Sequence, residues 1–101
     1  MSDTIDVNAM VNNAETAAKW LKAIANPYRL MILCLLLDNE MSVTELNAKV
    51  PLSQSALSQH LAVLRAEDLV DTRKSSQIVY YKLKDAQVTE IISILHLRYC
   101  S

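Results

Sequence analysis

Apolar residues follow helical spacing in five stretches of the chain and β-type spacing in one. From about Asn13 to Ala25, the positions Ala14, Ala17, Ala18, Leu21, Ile24 and Ala25 trace a single helical face. Asn26-Pro27 ends that helix and begins the next, with Asn as N-cap and Pro at the first helical position. The second helix, "PYRLMILCLLLD", is apolar nearly all round and is expected to be the most buried element. In "MSVTEL", Ser42 and Glu45 form a capping-box pattern, with Met41 and Leu46 placed as a hydrophobic staple. This third helix is short, because Pro51 disfavours helix at Val50. Ser53 then caps a fourth helix, with Leu52 and Leu57 as a second staple.

Leu57, Leu61 and Leu64 recur at i, i+4 and i+7 in the fourth helix, while Ser55, Ser58, Gln59, Ala62 and Arg65 point the other way. It ends near Asp68, where a left-handed cap is usually Gly but Asp is tolerated. "LVDTRKSSQIVYYKL" predicts strands over about 69–74 and 78–83, joined by Ser75-Ser76-Gln77. Over 86–99 the helical period returns, with Val88, Ile91, Ile92, Leu95 and Tyr99 in one stripe and Ile94 and Leu97 off it. A last helix apolar on two faces offers one to the core and one to a partner subunit. Residues 1–9 lack periodicity and are expected to be disordered, leaving one domain over 10–101. The fold class is mainly α with a β-hairpin wing, in the order α-α-α-α-β-β-α: a winged helix-turn-helix.

Composition narrows the function. At 101 residues the chain fits one domain, small enough to gain from pairing with a copy of itself. Net charge is −1, yet residues 42–84 carry six positive and four negative side chains while the flanks together are negative. That is a mild basic bias where a polyanion would bind. No apolar run reaches the roughly 18–20 residues of a membrane span, and the acidic start is no signal peptide, so a cytoplasmic location is expected. Two cysteines are too few for a secreted disulfide scaffold and too far apart for a zinc knuckle. With no glycine, no Gly-rich phosphate loop is available. No catalytic arrangement suggests an enzyme, and no cofactor is called for.

The polar face of the fourth helix suits DNA. Short polar side chains allow close approach in the major groove: Gln pairs bidentately with adenine, Ser donates or accepts, and Arg reads guanine or holds phosphate. The N-terminal turns of such a helix usually reach the bases, which points to Gln54, Ser55, Ser58 and Gln59, with Arg65 further along. Arg73, Lys74 and Gln77 suit a wing along the phosphate backbone or minor groove. His60 lies nearer the leucine stripe, where a local hydrogen bond or a phosphate contact fits better than base reading. The alternatives are a solvated Ser/Gln face and edge-strand charges that discourage aggregation.

The segments "ANPYRLMIL", "EMSVTEL", "LSQSALSQHLAVLRAEDLV" and "TRKSSQIVYYKL" resemble, over about residues 14–100, the ArsR/SmtB family of bacterial winged-helix regulators. The resemblance implies a homodimer joined through its first and last helices and a pseudo-palindromic double-stranded DNA operator. It also implies, for many members, release of DNA on metal binding. Here Ser42 and Thr44 stand where metal sensors carry thiolates, and His96 is alone in the last helix. Such metals require thiolate or paired imidazole ligands, so no metal is expected at the usual sites. With Cys34 and Cys100 the chain is most similar to the dithiol branch of HlyU and BigR type, in which oxidants or reactive sulfur species link two thiols. On its own, Cys34 also fits a small buried hydrophobe. A protonated His96 one turn before Cys100 favours its thiolate, and the helix dipole opposes this. Three other readings remain: a regulator without chemical input that competes with other DNA-bound proteins, a metal-responsive repressor using Cys34, His96 and Cys100, and an interaction module that does not bind DNA.

Overall fold

A computed structural model of the chain describes residues 6–99. Its elements are α1 (Val7–Ile24), α2 (Pro27–Leu35), β1 (Met41–Ser42), α3 (Val43–Lys49), α4 (Gln54–Ala66), β2 (Val70–Ser75), β3 (Ile78–Leu83) and α5 (Ala86–Tyr99). This is the winged helix-turn-helix, with one addition. Met41 and Ser42 pair antiparallel with Tyr81 and Tyr80, so the sheet has three strands in the order β1-β3-β2.

The local signals act as their chemistry requires. Asn26 Oδ1 accepts from the Tyr28 and Arg29 amides at 3.0 and 3.1 Å, starting α2. At α3, Ser42 Oγ accepts from the Glu45 amide at 3.2 Å, and Glu45 Oε1 accepts from the Ser42 amide at 2.9 Å. Ser53 Oγ accepts from the Ala56 amide at 3.1 Å. Between the two helices, Asn47 Nδ2 donates to Leu52 O at 2.8 Å and pins the turn. Asp68 ends α4 with φ 58°. The Leu69 amide donates to Leu64 O at 2.9 Å and the Asp68 amide to Arg65 O at 3.1 Å, the paired bonds of a Schellman cap.

The core lies where α2, α3, α4, β2 and α5 meet. Leu57, Leu61 and Leu64 are buried as the stripe predicted, with Ile32, Leu33, Leu46, Leu69, Val88 and Ile92 around them.

Several expectations change. Helix α1 begins at Val7, inside the segment expected to be disordered, because Asp6 is an N-cap whose Oδ1 accepts from Asn8 and Ala9 at 3.0 and 3.2 Å; residues 1–5 lie outside the described part. The face α1 turns to its own core is Trp20, Ala23 and Ile24, while Ala14, Ala17, Ala18 and Leu21 are exposed. Helix α2 is the most buried of the helices but not buried all round, since Ile32 and Leu33 are buried, Leu30, Cys34 and Leu35 half-buried, and Tyr28 and Met31 exposed. Tyr99 is exposed rather than part of the α5 core stripe. The hairpin loop is two residues long, with Ser75 paired to Ile78. The radius of gyration is 15.5 Å, against about 13 Å for a compact domain of ~100 residues, because α1 stands out as an arm.

Candidate nucleic-acid interface

Burial of the leucine stripe fixes the rotation of α4, and that rotation sets what faces outward. Gln54, Ser55, Ser58, Gln59 and Arg65 are all exposed, with Ser55 and Gln59 opposite the stripe of Leu57, Leu61 and Leu64 and the others at its flank. The cap at Ser53 and the pinned turn before it hold the N-terminal end of α4 against α3. The first two turns of α4 therefore offer amide and hydroxyl groups outward, with Ala62 and Val63 beyond them.

His60 is half-buried at the edge of that face and engaged locally. Arg29 Nη1 donates to its Nδ1 at 3.3 Å, and the Tyr28 ring lies 6.1 Å away, centroid to centroid. His60 thus makes a hydrogen bond within the protein, to a residue 31 positions away in the chain.

On the wing, Lys74 and Gln77 are exposed, and Ser76 turns the chain with φ 56°. Arg73 is committed elsewhere in the DNA-free chain. Its Nε donates to both Glu40 carboxylate oxygens at 2.9 and 3.1 Å, its Nη2 also bonds Glu40 Oε1, and its guanidinium lies 4.9 Å over the Tyr80 ring. The pair ties the segment before β1 to β2 across β3. The hydrogen bond from Arg73 holds the Glu40 carboxyl below its ordinary value, outweighing the opposing effect of desolvation. A carboxylate depressed in the folded state keeps its link through neutral pH and loses it as pH falls through the depressed value. An NMR titration of the Glu40 carboxyl carbon should show that low midpoint in the wild type and a return toward normal in Arg73→Ala.

Cys34 is half-buried on α2, in an apolar groove of about 410 Å³ lined by Pro27, Leu30, Met31, Cys34, Leu35 and His96. His96 Nδ1 is buried there with no hydrogen-bond partner among the described residues. Cys100 lies outside the described residues. Ser42, at one position where metal sensors place a ligand, is buried and used as the α3 cap. No three His, Cys, Asp or Glu side chains converge among the described residues. Nor is any described helix long and apolar enough to cross a membrane.

Sequence reasoning missed Arg29, Glu40 and Tyr80. Their partners lie 31, 33 and 7 positions away, and only the Arg73–Tyr80 pairing follows from a hairpin register.

Residues 26–72 match the model of the "Bacterial regulatory protein, arsR family". The "Transcriptional activator HlyU" of Vibrio cholerae serotype O1 is 52% identical over 96 residues, covering 95% of this chain and 89% of that protein. The "Biofilm growth-associated repressor" of Agrobacterium fabrum is 39% identical over 97 residues, covering 96% and 83%. Among solved structures, "Reduced HlyU from Vibrio cholerae N16961" superposes with a TM-score of 0.84 at 54% identity, over 92% of this chain and 98% of that one. The homodimeric winged helix-turn-helix domain of Mb0332 from Mycobacterium bovis gives 0.81 at 26% identity, over 97% and 89%. With the capped helix pair, the exposed polar face of α4 and the hairpin wing in place, these matches mean that the chain belongs to the ArsR family of bacterial DNA-binding transcriptional regulators, on the branch that holds HlyU and the biofilm growth-associated repressor.

Proposed function

We propose that the protein is a homodimeric, sequence-specific operator-binding regulator of the bacterial cytoplasm. Gln54, Ser55, Ser58 and Gln59 read base edges from the first turns of α4, Arg65 supports them, and the wing residues Arg73, Lys74 and Gln77 follow the phosphate backbone. His60 lies at the edge of that face with its Nδ1 occupied by Arg29, and is not assigned a DNA contact. The observation that carries this reading is the set of exposed Gln and Ser side chains in the first two turns of α4, opposite three leucines at 0–1% exposure. A helix of merely structural purpose gains nothing from an outward face of Gln and Ser in place of Glu and Lys. Arg73 reaches phosphate by exchanging its Glu40 partner, so its contribution is smaller than that of an unengaged arginine.

Binding titrations at several salt concentrations test the reading, using the strongest duplex selected by the wild-type protein from genomic fragments. The logarithm of affinity should fall steeply with that of salt concentration, with a slope of about −0.9 per phosphate contacted. Gln59→Ala should cost about 1–3 kcal/mol on that duplex and relax specificity. Lys74→Ala should weaken all duplexes alike and lower the salt slope. A flat salt response would leave only an interaction module.

The dimer is proposed through α1 and α5, whose outward apolar residues include Met10, Val11, Leu21, Ile94 and Leu97. The homodimeric description of the Mb0332 domain supports it. For the input, a Cys34–Cys100 pair that responds to oxidant or reactive sulfur is the proposed switch. His96, four positions before Cys100, shares a groove with Cys34, and a relative at 54% identity is described in a reduced form.

A further inference from the structure

The geometry points to Arg29 as a positioning residue that couples the α1 arm to the recognition helix by holding His60 in one tautomer. The inference rests on the proposed DNA reading by α4 and deepens it.

The last four carbonyls of a helix have no partner within it. In α1 each finds one. The Ala25 amide donates to Leu21 O at 2.9 Å and the Asn26 amide to Ile24 O at 2.8 Å. Arg29 Nε donates to Ala23 O at 2.6 Å, and its Nη2 reaches Lys22 O at 3.5 Å. A fixed cation at the C-terminal end also complements the helix dipole. The Asn26 cap sets Arg29 in the first turn of α2, from which the planar fork reaches back to α1.

One terminal nitrogen of that fork, Nη1, is directed at His60 Nδ1 on α4. Arginine has donors and no acceptor, and it stays protonated. His60 Nδ1 must therefore accept, which puts the ring proton on Nε2. One guanidinium thus ties the end of α1, the start of α2 and the second turn of α4. Any tilt of α1 at a dimer interface is passed to α4 through this knot, and the sequence-reading face moves with it. His60 on this account acts through Nδ1 and Arg29 rather than through a contact of Nε2 with DNA.

Arg29→Met would also strip the α1 cap, so His60 variants carry the test in the full chain. The Asn amide oxygen occupies the place of Nδ1, whereas Gln reaches the place of Nε2. His60→Asn should keep affinity for the selected duplex within about twofold of wild type, and His60→Gln should lose roughly tenfold, a loss of the size typical of coupled sites. Neither should change affinity for poly(dI-dC). Imidazole 15N spectra of the wild type should show a protonated Nε2 and an unprotonated Nδ1. A proton on Nδ1 overturns the inference without reference to DNA. So does the reverse pattern, with Gln tolerated and Asn not, and so does wild-type affinity in both variants. Gln59→Ala run alongside separates the two failures: if it too binds like wild type, the DNA-reading assignment of α4 falls, while the nitrogen spectra still decide the Arg29 link.

Discussion

Leu97→Glu is expected to convert the protein from dimer to monomer and to weaken operator binding with it. Leu97 is 69% exposed within one chain, and Ile94 beside it on α5 is 59% exposed. On α1, Met10 and Val11 are each 50% exposed and Leu21 55%. Such a set is more apolar surface than two amphipathic helices usually leave in water, and a second copy would cover it. In a two-fold interface one substitution places two carboxylates in the contact, each losing water without gaining a partner. Loss of a hot-spot residue at the centre of an interface costs about 2 kcal/mol or more, and a buried carboxylate at such a position adds to it. The dimer dissociation constant should therefore rise by roughly 30-fold or more, as read by sedimentation across a concentration series. Operator binding should fall as well, because recognition helices about 34–36 Å apart engage two half-sites only when joined. A variant that remains dimeric with full affinity would show that this face of α5 is not the interface.

How legible these features were in the sequence depends on the range of the interaction behind each. The Ser42–Glu45 box, the Ser53 cap and the Asp68 cap involve residues within about five positions, and periodicity alone places the leucine stripe. Strand β1 is two residues long and runs directly into α3, so it has no period; its partner on β3 is about forty positions away. Of the α1 face traced by periodicity only Ile24 reaches the core, beside Trp20 and Ala23, because alanines at helical spacing mark a face without fixing what covers it. Apolar composition made α2 look uniformly buried, but one side of it lines the open groove with Met31 and Cys34. The polar face of α4 was readable because its rotation follows from the stripe. The commitments of Arg73 to Glu40 and of His60 to Arg29 depend on tertiary contacts, and no local pattern encodes them.

Linking Cys34 to Cys100 is expected to lower operator affinity some 5–150-fold, the effect of a coupling of about 1–3 kcal/mol. Cys34 sits on α2, which packs against α5, and His96 on α5 lines the groove that holds the thiol. A two-electron oxidant would take both thiols to a disulfide with loss of two protons. A persulfide donor would instead convert each thiol to a persulfide, releasing its own thiol, and condensation of the two persulfides with loss of hydrogen sulfide would give a trisulfide bridge that tolerates greater separation. The disulfide needs Cα atoms about 4.4–6.8 Å apart. Either bridge pins α2 to α5. The first turn of α2 carries Arg29, which holds both α1 and His60 on α4. A constraint on α2 therefore reaches the proposed dimer helices and the recognition helix together, and a small shift suffices to mismatch two recognition helices with their half-sites. Intact-mass measurement after treatment should show a loss of two hydrogens for the disulfide, or the added sulfur for the longer bridge, in step with the loss of affinity. Cys34→Ser and Cys100→Ser should each bind DNA like the reduced wild type and ignore the reagent. Full linkage with unchanged affinity would make Cys34 a packing residue and leave a regulator without chemical input, whose output is competition with other proteins on the same DNA.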